Sequence, residues 1–149
     1  SFAFMTASLL LTQKSDVLAS NIYFSEDFES NYDQWEIQRG SFNIILDETN
    51  TIGHTSTNSE GRIMRGDLSW TDYSISADMK VLDFNGSNRA FLCGRYTDGN
   101  NFYGVSLSSK NGLELRKKVN GASSVIAQVS TEIQQNTWYN VHSKCKVLS

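Results

Sequence analysis

The stretch that decides the fold runs from Tyr73 to Leu82, YSISADMKVL. Ile75, Ala77, Met79 and Val81 share one parity; Ser74, Ser76, Asp78 and Lys80 share the other. Side chains alternate across a strand, so this pattern puts one row in a core and the other toward water. Leu113, Leu115, Lys117 and Val119 alternate with Glu114, Arg116 and Lys118 in the same way. Shorter strands are expected over Trp35–Gln38, Phe42–Leu46, Ala90–Tyr96, Asn101–Leu107 and Ser123–Val129, and a last one over Trp138–Val147.

Between strand-like runs stand Asn85-Gly86, Asp98-Gly99, Asn111-Gly112 and Asn120-Gly121. Both residues of such a pair tolerate positive φ, which a type I′ hairpin turn demands. Strand, turn and strand at this density, with no convincing helical pattern, predict an antiparallel meander in an all-β chain. The fold class is an antiparallel β-sandwich or jelly roll. The acidic run SEDFES (25–30) is expected at the start of the first strand, and Thr49–Gly61 as a long polar loop. Trp35, Trp70 and Trp138 sit near strand ends and read as core anchors.

Composition bounds the function. The chain has 149 residues, the size of one domain. Hydrophobic residues make up 39% and aromatics 11%, which supplies a core and excludes wholesale disorder. Lys and Arg number 13 against 16 Asp and Glu, a net charge of −3. That balance offers no basic excess for phosphate backbones, so no nucleic-acid partner is expected. No apolar run reaches the ~18 residues that a bilayer span needs, so no membrane partner is expected either.

Residues 1–19 read SFAFMTASLLLTQKSDVLA. Phe2–Leu11 has the length and apolarity of a signal-peptide core, and Val17-Leu18-Ala19 fits the small-x-small cleavage rule. Cleavage is expected after Ala19 or Ser20, with the front of the leader clipped. The alternative is a short buried helix. A leader makes the product extracellular and leaves residues 20–149 as the mature domain. Export would permit a Cys93–Cys145 disulfide, but the preferred reading of Cys93 is a small buried strand residue.

Catalytic signatures are missing: there is no Gly-x-Ser-x-Gly elbow, phosphate-cradling glycine loop or His-Glu-x-x-His. The two histidines, His54 and His142, have no Cys or His at zinc spacing. Asp27 and Glu29 would share one face of a strand. First, they read as an acidic edge that keeps the strand soluble. Second, they read as hard oxygen ligands for a structural Ca²⁺, and third as a glycosidase pair. Arg95, Tyr96 and Tyr103 gather a guanidinium and two phenols on one hairpin. Aromatic faces stack on the apolar face of a pyranose, and a guanidinium pairs with hydroxyls or a uronate carboxylate. These three are the candidate carbohydrate-binding residues. Against this stands alternation, which must turn one member of each adjacent pair inward.

Several runs, in order, carry a family resemblance. They are Glu26-Asp27-Phe28-Glu29 with Trp35, Ser69-Trp70-Thr71-Asp72-Tyr73, Asn85-Gly86-Ser87-Asn88-Arg89 and Gly94-Arg95-Tyr96-Thr97-Asp98 with Asn101-Phe102-Tyr103. Leu113 to Gly121 and Trp138-Tyr139 complete the set. Together they resemble the concanavalin A-like, laminin-G-like jelly-roll domains of secreted bacterial polysaccharide-degrading proteins. The nearest likeness is to the modules appended to pectate lyases. The resemblance implies two antiparallel sheets, a noncatalytic carbohydrate-binding role beside a tethered catalytic domain, and in related domains a structural Ca²⁺. The sequence departs from the pattern after Val141, where clean alternation is lost, and closing strands are expected to be missing. The functional expectation is a polysaccharide-binding module of an exported glycan-degrading protein. The alternatives are a glycoside hydrolase or lyase on the same scaffold, and an adhesion domain.

Overall fold

The computed structural model describes residues 2–6, 11–13, 21–47, 49–55 and 60–146. Among them the chain is all strand and turn, with no helix. The strands are β1 (Phe2–Thr6), β2 (Leu11–Gln13), β3 (Asn21–Phe24), β4 (Glu36–Arg39), β5 (Phe42–Asp47), β6 (Thr49–Thr55) and β7 (Arg62–Met64). They continue with β8 (Tyr73–Asp83), β9 (Arg89–Asp98), β10 (Asn101–Ser108), β11 (Gly112–Val119), β12 (Ala122–Val129) and β13 (Trp138–Cys145). One sheet of seven strands runs β3-β2-β8-β1-β6-β5, with β13 on the other side of β8. A sheet of four runs β12-β11-β10-β9, and β4 pairs with β7 as a small ribbon. All pairings are antiparallel. The two larger sheets face each other, so the chain is an all-β sandwich.

The core forms where alternation places it. Tyr73, Ile75, Ala77, Met79 and Val81 of β8 are all buried. β13 pairs in register, Tyr139 with Met79, Val141 with Ala77 and Cys145 with Tyr73, and extends the same inner row. Opposite lie Ala90 and Leu92 of β9 and Leu107 of β10, with Phe24, Phe28, Trp35, Phe42 and Ile52 completing the cluster. On the outer row Asn140 donates to Asp78 Oδ1 at 2.7 Å. Lys80 pairs with Asp47 and lies 4.8 Å from the centre of the Trp138 ring. Trp138 thus covers the outer row; Trp35 is the tryptophan buried in the core.

Three of the four Xaa-Gly turns join neighbours in the four-stranded sheet. Asn120 and Gly121, at φ 49° and 83°, make the two-residue turn from β11 to β12. Gly112, at φ 77°, ends a three-residue loop, the geometry of a type I turn closed by a glycine bulge. At Asp98-Gly99 neither residue has positive φ; the Asp98 carboxylate instead accepts the Asn100 N–H at 2.7 Å. Asn85-Gly86 does have positive φ, but it carries the chain from one sheet to the other, because β8 and β9 do not pair. A local turn signal reports direction reversal, not which edge the next strand joins.

Other boundaries differ from the alternation reading. Within Thr49–Gly61, residues 49–55 are β6, paired with β5 and β1. Polar Thr and Asn there are compatible with a strand because ladder hydrogen bonds use backbone alone. SEDFES is not strand: β3 ends at Phe24, and Phe28 adopts φ 54° with its ring buried in the core. In the first segment Phe2–Thr6 is a strand between β8 and β6, not a helix. The expected cleavage position after Ala19 lies outside the described residues, as do residues 147–149.

Candidate functional site

The site is set by a break in the β9–β10 ladder. Asp98 pairs with Asn101, yet the next pair is Gly94 with Tyr103. Arg95, Tyr96 and Thr97 therefore bulge opposite Phe102 alone. Bulges bend a strand and re-aim its side chains. Arg95 takes φ 50°, and its N–H leaves the ladder and donates to the Tyr73 hydroxyl. The Arg95 guanidinium donates to the Lys146 carbonyl at 3.0 Å.

Tyr96 turns toward the β4–β7 ribbon. Its hydroxyl donates to Gln38 Oε1 and accepts from Arg62 Nη1 at 3.3 Å. Its ring stacks on Phe102, centroids 6.1 Å apart, and the Arg62 guanidinium lies 5.9 Å from its centroid. Gly99 makes room: a Cβ there would run into the Arg62 guanidinium. Tyr103 belongs to the opposite face of the sheet. It pairs with Gly94 and Lys117, on the row of Leu92 and Leu115, and is exposed. The structure brings Arg95 and Tyr96 to one cleft and leaves Tyr103 outside it.

That cleft has a volume of about 510 Å³. β9 is the edge strand of its sheet, and residues of both its faces, Arg89 to Cys93, line the cleft. Residues 60–68 form the facing wall, and Trp35, Ile75 and Met79 form the apolar depth. Phe91, Phe102, Tyr96, Arg116, Lys118 and Ser123 also line the cleft. Phe91 and Phe102 meet edge to face, centroids 6.0 Å apart. Lys118 Nζ donates to the Gly99 carbonyl at 2.9 Å.

Charge is concentrated here. Arg62, Arg65, Arg89, Arg95, Arg116 and Lys118 line the cleft against Glu60 and Asp67, and Glu114 lies behind Arg89 and Arg116. The chain as a whole has net charge −3, so this surface runs against the global sign. Glu114 is 1% exposed and anchors the cluster. Its carboxylate accepts from Arg89 and from Arg116 Nη1, the latter 3.2 Å from both oxygens. Asn111 Nδ2 at 3.3 Å and Ser106 Oγ at 3.4 Å add to it. A buried carboxylate with this many donors holds two guanidinium groups in fixed positions.

Sequence reasoning missed this constellation. By alternation Glu114, Arg116 and Lys118 read as the polar row of an ordinary strand. Their common face with Phe91 and Phe102 follows from register: Glu114 opposes Ser106, which opposes Phe91, and Lys118 opposes Phe102. No local signal carries that.

The acidic run at 25–30 sits elsewhere. Glu26 accepts from the Phe28 N–H at 3.0 Å and Trp35 Nε1 at 3.2 Å, and lies 3.5 Å from Arg65 Nη1. Asp27 accepts the Glu29 N–H at 3.0 Å, and both side chains are exposed on the loop. They do not share a strand face. Calcium takes 6–8 oxygens, and among the described residues no group of three His, Cys, Asp or Glu comes together.

Cys93 and Cys145 are free thiols. Cys93 shares the Gly104 and Arg116 face of its sheet, whereas Cys145 lies on the inner row against Gly94. Burial pushes the Cys93 thiol up to about 12. No protein-family model matches the chain, and no curated protein or solved structure matches it.

Proposed function

We propose that the chain is a noncatalytic polysaccharide-binding module of an exported glycan-degrading protein such as a pectate lyase, its sandwich a jelly roll of the concanavalin A-like kind. The glycan sits in the cleft at the β9 edge. The observation that supports this reading is the lining of that cleft, where six cationic side chains stand together with the Tyr96, Phe91 and Phe102 rings. Aromatic surface takes the apolar face of a sugar ring, and guanidinium groups take carboxylate in a bidentate fork. A uronate-bearing polymer satisfies both. A cleft of about 510 Å³ lies within the range of small-ligand sites. Asp27 and Glu29, with loop carbonyls, belong to this proposal as the structural Ca²⁺ ligands, and export as the cellular setting.

The test is retention of the full chain on immobilised pectin, a neutral β-glucan and a fructan, with and without a calcium chelator, with sugar release followed in parallel. Retention on pectin with no product formed supports the module, and loss of retention in Arg95→Ala with an unchanged far-UV β signal places Arg95 in the site. Product formation replaces the reading with a lyase or hydrolase. A folded chain retained on none of the three overturns it in favour of an adhesion domain.

A further inference from the structure

The four-stranded sheet ends in β9 on one side and β12 on the other. β12 reads ASSVIAQV, and from Val119 to Thr131 no residue carries a charge. The same holds for β10, NFYGVSLS, which is internal to the sheet. β12 therefore has the composition of an internal strand. Yet all eight of its residues are exposed, and its outer edge meets no strand among the described residues. Val125, Ile126 and Val129, with Val119 at the preceding turn, present apolar surface there.

Edge strands that must stay single are blunted with lysine, proline, inward-pointing charge or a bulge. β12 has no charge and no proline. Its one irregularity is a register break between Leu115 and Arg116, which leaves Ile126 as an extra residue. By contrast β13 carries Lys144, and β5, an edge of the larger sheet, ends in Asp47.

We infer that β12 pairs antiparallel with β12 of a second copy of this chain. The argument for a second copy is electrostatic. A twofold axis across two antiparallel copies sets each residue against the same short segment, so any charge on the strand meets its own like nearby. A charge-free strand is the case in which self-pairing carries no such repulsion. The pairing is isologous and therefore closes at two copies. It joins two four-stranded sheets into one, supplies backbone partners along β12 and covers Val125, Ile126 and Val129. The cleft opens along the β9 edge and reaches β12 only at Ser123, so Val125, Ile126 and Val129 lie outside it.

The experiment is the molar mass of the full chain by light scattering after gel filtration, from about 1 to 100 µM, a range that brackets ordinary dimer affinities. The expected result is a concentration-dependent approach to twice 16.7 kDa. Val125→Lys and Ile126→Lys, both at exposed positions, raise the dissociation constant about tenfold or more while leaving the far-UV signal unchanged. Leu46→Lys, at an exposed position of β5, leaves it as in the parent. A monomer throughout the range overturns the inference. So does a dimer indifferent to both β12 lysines, or a ladder of species beyond the dimer.

Discussion

Gly94 and Cys145 meet across the two sheets: a Cβ on Gly94 would stand 2.6 Å from the Cys145 sulfur and 3.5 Å from the Tyr73 hydroxyl. The same Tyr73 hydroxyl receives the Arg95 N–H freed by the bulge. The contact therefore fixes how closely β9 approaches β13 and where the bulge begins. Gly94→Ala is expected to cost about 1–3 kcal/mol, the usual range for overpacking a filled core. Cys145→Ala in the same chain should recover much of the loss, a coupling of about 1 kcal/mol in a double-mutant cycle read by urea unfolding. Additive losses would refute the contact.

Glu114 is the hub on which two cleft arginines depend. Glu114→Ala leaves Arg89 and Arg116 without their carboxylate, and breaking such a buried pair costs about 3–5 kcal/mol. Glu114→Gln keeps the shape and one acceptor oxygen for the guanidinium groups, so it should lose less. A Glu114→Ala chain as stable as the parent in urea would show that the pairing contributes nothing.

The buried thiols make alkaline pH destabilising. Burial raises Cys93 from an ordinary value of 9.0 to about 12, and burial raises Cys145 and Tyr73 as well. Below pH 9 these groups are protonated whether the chain is folded or not. Above it the unfolded chain loses protons that the folded chain keeps, so stability falls as pH rises from about 9 toward 12. Unfolding free energy measured from pH 7 to 11 should decline across that window, and Cys93→Ala should make the decline shallower. Neither thiol should react with a disulfide reagent at pH 8 until the chain unfolds.

The cleft and the Tyr103 face of the hairpin can be separated by substitution. Phe102→Ala and Lys118→Ala should each weaken pectin binding about tenfold, a loss of roughly 1.4 kcal/mol. Tyr103→Ala, on the other face, should leave binding unchanged. Titration calorimetry of the three variants decides it: a loss confined to Tyr103 would return the site to that face.

Local sequence carried much of the fold. The alternation in 73–82 put Ile75, Ala77, Met79 and Val81 inside, because the period of a strand is a property of its own backbone. β10, β11 and β12 were legible for the same reason, as was the Asn120-Gly121 turn, whose two residues accept positive φ at little cost. β6 was not legible, since its pattern of Thr and Asn has no apolar period and its ladder partners lie far along the chain. The run at 25–30 reads as the start of a strand; Phe28, turned inward at φ 54°, makes it a loop.

The site was legible only in part. Arg95 and Tyr96 could be picked out by residue type beside a turn. Their separation from Tyr103, and the meeting of Tyr96 with Arg62 and Gln38, arise from a ladder break and from a ribbon that approaches from elsewhere in the chain. Glu114 and its arginines came together through register across three strands. Sequence by itself determined that this chain forms strands, where many of them turn and which rows are apolar, because backbone sterics and hydration act residue by residue. Which strands became neighbours, and so which charges and rings share a cleft, was decided by tertiary structure, because pairing is a choice among distant edges.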